Sequence, residues 1–75
     1  MPKLPLVSGE KALRVLEQLG FVRVRQRGSH VVLKRSLASG TVGCVVPLHP
    51  ELATGTLRGI LKQAGISPEE FVEKL

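Results

Sequence analysis

The chain contains no tryptophan or tyrosine, two phenylalanines, one cysteine and one methionine in 75 residues. Without large aromatic side chains it lacks the stacking platforms that read splayed single-stranded bases. Any recognition of a nucleic acid must then rest on backbone and shape. The lone Cys44 excludes an internal disulfide, and with only His30 and His49 beside it no structural zinc spacing exists. A small domain without covalent staples suits a reducing cytoplasm. No apolar run approaches the length needed to cross a bilayer. The stretch from Met1 to Val7 is too short and too proline-broken for a secretory segment. The sequence therefore predicts a cytoplasmic protein with no membrane partner, folded as a single domain over residues 1–75. A hydrophobic fraction of 43% is normal for a globular chain and argues against wholesale disorder.

Acidic residues are the most informative absence. All six (Glu10, Glu17, Glu51, Glu69, Glu70 and Glu73) lie outside residues 18–50. Inside that window stand Arg23, Arg25, Arg27, Lys34 and Arg35, so the whole net charge of +5 belongs to one segment. Polyanions bind such surfaces by releasing condensed counterions. The alternative is a solvated, solubilising face; segregation this complete favours an anionic partner.

Ser8 is a good helix N-cap, followed by Ala12, Val15, Leu16 and Leu19 at helical spacing and by Gly20 as a stop. The spacing predicts an amphipathic helix over residues 9–19. The period then changes to two: Phe21-Val22-Arg23-Val24-Arg25-Gln26-Arg27 alternates apolar and basic residues, as a half-buried strand does. Gly28-Ser29 suits a type II′ hairpin turn, and residues 30–35 form the returning strand. A polar loop over 36–40 leads to a third strand over 41–46, stopped by Pro47. Residues 56–65 read as a second helix. Ser67-Pro68-Glu69-Glu70 is a capping box opening a short third helix that buries Phe71, Val72 and Leu75. The fold class is α+β, a three-stranded antiparallel sheet in the order α-β-β-β-α-α, with helices on one face and water on the other.

The hairpin register decides which residues share the open face. With Gly28-Ser29 as the turn, Arg27 pairs with His30, Arg25 with Val32 and Arg23 with Lys34, and all six project from one side. Val22, Val24, Val31 and Leu33 then form the core side. Three arginines, a lysine and a histidine meet on one patch.

A lone strand histidine is usually structural. His30, however, sits at a glycine-bounded hairpin edge on the cationic face, and imidazole exchanges protons near neutrality. RNA carries its own nucleophile, the 2′-hydroxyl, so cleavage needs little beyond proton transfer and stabilisation of phosphoryl charge. His30 is the candidate for the first task and a neighbouring guanidinium for the second. No carboxylate cluster stands ready to hold magnesium, so neither metal nor other cofactor is expected. Ser29 beside His30 suggests a nucleophile and base, but adjacent strand residues point to opposite faces and no acid orients the imidazole. His49, in Pro47-Leu48-His49-Pro50, is a secondary candidate for proton transfer or phosphate contact; a loop histidine bonded to backbone is the plainer reading. Gly43 marks either a close backbone approach or a bulge, and Cys44 reads as a small core residue.

With those residues in view, the sequence resembles the HicA (YcfA-like) toxins, small ribonucleases of bacterial toxin–antitoxin pairs. The likeness runs through Pro5-Leu6-Val7-Ser8-Gly9, Leu19-Gly20-Phe21, Arg25-Gln26-Arg27-Gly28-Ser29-His30, Val46-Pro47 with His49, and residues 55–67 with Phe71. Lys11 departs from it, standing where family members often carry an acid that completes a capping box after Ser8. The resemblance implies a double-stranded-RNA-binding-domain-like fold and metal-independent cleavage of messenger RNA at His30. It also implies inhibition by a HicB-type antitoxin covering the active face. Arg23, Arg25, Arg27, Gly28, Ser29 and Lys34 are the expected RNA-binding residues. The competing class is a binding module that holds double-stranded RNA on the same patch without cutting it.

Overall fold

Ser8 starts the first helix as its chemistry dictates: its side chain accepts a hydrogen bond from the Lys11 N–H at 3.0 Å. Helix α1 runs Gly9–Gln18 and buries Ala12, Leu13, Val15 and Leu16 along one side. The computed structural model describes residues 3–75; Met1 and Pro2, part of the proline-broken N-terminal stretch, lie outside them. Three strands follow, β1 (Val22–Arg27), β2 (His30–Leu37) and β3 (Gly40–Pro47), then helices α2 (Thr54–Ala64) and α3 (Pro68–Glu73). The order is the expected α-β-β-β-α-α, and the sheet is antiparallel in the order β1-β2-β3.

Both hairpins are tight. Gly28 at φ +56 supplies the left-handed residue a type II′ turn needs at its first central position, and Ser29 needs no positive φ. The Gln26 side-chain amide braces this turn by donating to the Gly28 carbonyl at 2.9 Å. The second connection is shorter than the polar loop expected over 36–40. Strand β2 continues to Leu37, and only Ala38-Ser39 turn the chain before Gly40.

Valine, leucine and cysteine from alternate strand positions build the core. Val31 and Leu33 of β2 and Cys44 and Val46 of β3 are buried against α1, against Leu57, Ile60, Leu61 and Ala64 of α2, and against Phe71 of α3. Burial pushes the Cys44 thiol up to about 11, which suits a core residue. Ser67 and Glu70 form the expected reciprocal capping box, and these hydrogen bonds to Ser67 hold the Glu70 carboxyl below its ordinary range. Helix α2 begins two residues earlier than its spacing indicates, with Ala53 at a cap position that has no side-chain oxygen to offer.

Three expectations are corrected. Val22 and Val24 are not core residues; they are 62% and 51% exposed. Leu75 is 40% exposed, because α3 ends at Glu73 and only Phe71 is fully covered. The third correction, the register at Arg23, shapes the site.

Candidate functional site

Strands β1 and β2 begin pairing as the turn predicts, with Arg27 opposite His30 and Arg25 opposite Val32. Directly opposite residues in an antiparallel ladder project from the same face. Arg25, Arg27, His30 and Val32 therefore share one face, and it is the face away from the helices, since Val31 and Leu33 point into the core. One step further the register shifts. A β-bulge at Val24 leaves Arg23 opposite Leu33 and Val22 opposite Lys34.

That bulge overturns the placement of Arg23 on the open face. Its side chain turns to the helix-covered side and meets α1. The guanidinium donates to both carboxylate oxygens of Glu17 at 3.2 Å each and to Glu10 at 3.3 Å. These hydrogen bonds, those donated to Glu17 first and the one to Glu10 second, raise the pKa of the guanidinium. Glu10 and Glu17 stand seven residues apart, two helical turns, and so lie on one face of α1. This spacing is the signal by which sequence reasoning could have found the pair. Both acids lie outside the acid-free window, yet the fold brings them to it.

Arg35, the other basic residue of the window outside the expected patch, also lies off the open face. It alternates with Lys34, packs its guanidinium 5.0 Å from the centre of the Phe21 ring and donates from Nη1 to the Leu19 carbonyl at 2.9 Å. A cation over an aromatic face and at the last carbonyls of a helix is doubly favoured there. Of the five basic residues in the window, Arg25, Arg27 and Lys34 remain on the open side. Among the described residues none of these three has a carboxylate partner.

His30 occupies the end of this face, exposed, with Arg27 across from it on β1 and Pro47 across from it on β3. Backbone bonds fix this corner. The Leu48 N–H donates to the Ser29 carbonyl at 2.6 Å, so the exit of β3 is tied to the hairpin turn. The Gly9 N–H donates to the His49 carbonyl at 2.9 Å, so the same exit is tied to the start of α1. Contact there is so close that a side chain at Gly9 would overlap the Pro47 carbonyl oxygen and the Leu48 backbone. No spacing in the sequence signalled this approach. His49 thus contributes its carbonyl to the scaffold, and its side chain is exposed beside the corner.

The centre of the face is apolar: Val32 is half-buried, and Val45, directly across from it on β3, is 39% exposed. Lys34 lies opposite Gly43, with its Cγ 3.5 Å from where a side chain at Gly43 would begin. A shallow depression of about 610 Å³ lies at the other end of the sheet, lined by Gly20, Val22, Val24, Lys34, Arg35, Ser36 and Thr41. It includes only Lys34 of the expected residues. Among the described residues no three His, Cys, Asp or Glu side chains gather as a metal site requires. No described helix is long and apolar enough to cross a membrane.

An open face carrying two arginines and a lysine without carboxylate partners, and one imidazole, can hold a phosphodiester and exchange a proton with a hydroxyl beside it. No curated protein matches the chain at a significant level. The sequence model of the family described as HicA toxin of bacterial toxin–antitoxin systems matches residues 9–66, a span from the start of α1 to just beyond α2. The chain belongs to the HicA toxin family of bacterial toxin–antitoxin systems.

Proposed function

We propose that the protein is a metal-independent endoribonuclease, an mRNA interferase, that cuts RNA held on the open face of its sheet. The observation that carries this reading is the pairing of His30 with Arg27 at the end of an exposed face free of carboxylates. The 2′-hydroxyl of the RNA attacks the adjacent phosphorus and the bond from phosphorus to the 5′-oxygen breaks. The proton leaving the 2′-oxygen and the proton reaching the 5′-oxygen are the two transfers a catalyst can assist, and His30 serves as general acid or base for them. Arg27 stabilises the charge that builds on the phosphoryl oxygens. Arg25 and Lys34 hold phosphates beside it, and the Gly28-Ser29 turn lets the RNA backbone approach. His49 is a secondary candidate at the same corner. The donor set is cationic apart from one imidazole, which suits a phosphate and offers little to a divalent ion.

The order of elements is compatible with the double-stranded-RNA-binding-domain-like fold that the resemblance implies. Membership of a toxin–antitoxin family implies an antitoxin; a HicB-type protein covering the open face would block RNA and silence the toxin. With messenger RNA as substrate, the activity belongs to the cytoplasm.

End-labelled RNA incubated with the pure protein in EDTA tests the reading. Cleavage is expected to persist, to leave 2′,3′-cyclic phosphate and 5′-hydroxyl ends, and to spare DNA. His30→Ala is expected to slow it by about 10²–10⁴-fold while retaining most RNA affinity. If the parent protein binds RNA without cutting it, the patch is a binding module. If His30→Ala cuts as fast as the parent, the catalytic assignment fails.

A further inference from the structure

The two outer edges of the sheet are built differently. The β1 edge is broken by the bulge at Val24 and lined with arginines, two of the devices by which proteins prevent a sheet from pairing with another chain. The β3 edge has neither. Its eight residues pair with β2 in unbroken register from Leu37↔Gly40 to His30↔Pro47. No Asp, Glu, Lys or Arg occurs from Ser36 to Pro50.

We propose that β3 is a self-pairing edge, through which two copies of this chain join their sheets antiparallel about a two-fold axis at Gly43. The backbone supplies the bonds. A two-residue turn makes Leu37 and Gly40 a hydrogen-bonded pair, and antiparallel pairs alternate. The N–H and C=O groups of Thr41, Gly43 and Val45 therefore point away from β2. No backbone or side-chain hydrogen bond among the described residues engages them from outside the sheet. A two-fold axis at Gly43 sets it against its own copy, and sets Thr41 against Val45 of the second copy. Those three pairs exchange roughly six hydrogen bonds.

Side chains and charge agree with this arrangement. Thr41 and Val45 form an uncharged, β-branched cross-strand pair, and the exposed Val45 gains cover. Gly43 pairs with Lys34 without a bulge, and a side chain there would begin 3.3 Å from the Leu33 carbonyl oxygen of its own sheet, so the absence of a side chain suits packing within the chain and leaves the outer edge unobstructed. Two chains of net charge +5 repel each other, and the geometry keeps that repulsion small. In the joined sheet the two β1 strands are five strand spacings apart, about 24 Å, well beyond the screening length of about 8 Å. Pairing through β1 would instead oppose arginine to arginine. Both open faces lie on the same side of the joined sheet, so the dimer presents two His30 corners to one side. The inference stands apart from the assignment of His30.

Sedimentation equilibrium of the full chain, from micromolar to millimolar concentration, tests it. A reversible monomer–dimer equilibrium is expected, with the Thr41, Gly43 and Val45 amides gaining protection from hydrogen exchange as concentration rises. Val45→Lys and Thr41→Lys, both at exposed positions, are expected to remain monomeric. Val22→Lys on the β1 edge is expected to dimerise like the parent. Far-UV circular dichroism and retained core-amide protection check that each variant is folded. A parent chain that stays monomeric throughout overturns the proposal, even if a strand of another protein can pair with β3. So does a dimer that survives folded Val45→Lys, or one whose β3 amides remain unprotected.

Discussion

Arg23 and Arg25 stand two positions apart in one strand, carry the same side chain and face opposite ways. The bulge at Val24 separates them: Arg23 reaches Glu10 and Glu17 on α1, and Arg25 stays on the open face with no acid near it. The two ends of β1 are also anchored by different means. Side-chain ion pairs reach the end near α1 and occupy the arginine that makes them. The hairpin end is held by backbone bonds, Leu48 to Ser29 and Gly9 to His49, which leave Arg27 and His30 free. A corner fixed through its backbone keeps its side chains unengaged, and this one is fixed in that way.

Breaking the backbone anchor should produce the largest effect. Gly9→Ala forces a methyl group into the Pro47 carbonyl and the Leu48 backbone. It is expected to cost about 1–3 kcal/mol of stability, measured by urea unfolding. Activity per folded molecule should fall as well, because the displaced segment pairs with His30. A variant with parental stability would show that the close approach at Gly9 constrains nothing.

Breaking the side-chain anchor should do less, and should help binding. Glu10→Gln with Glu17→Gln releases Arg23 and removes two negative charges near the sheet. Exposed ion pairs contribute little to stability, so the unfolding midpoint is expected to move only slightly. RNA affinity is expected to rise several-fold at low salt, as measured by fluorescence anisotropy. Unchanged or weaker binding would mean that α1 lies too far from the RNA for its charges to matter.

Much of this was legible in the sequence. The change of period from 3.6 to 2 at Phe21, the Gly28-Ser29 turn and the Ser67 capping box fixed the order of elements and the Arg27–His30 pairing. The bulge was hidden because Val-Arg-Val-Arg alternates perfectly, and nothing local shows which residue will be left unpaired. The acid-free window misled for a related reason. It measured charge along the chain, whereas Glu10 and Glu17 reach Arg23 through space. The early start of helix α2 was hidden because Ala53 gives no capping signal. The contact at Gly9 depends on a loop forty residues away, which local spacing does not report.

The measurement that bears most directly on the division of β1 is the salt dependence of RNA binding by two single variants. Each phosphate neutralised by a side chain contributes about one unit to the log–log slope. Arg25→Gln is expected to reduce the slope by about one unit, while Arg23→Gln leaves it close to the parental value. Equal loss from both variants, or loss from Arg23→Gln alone, would contradict the account and return the RNA to the side of the sheet that faces α1.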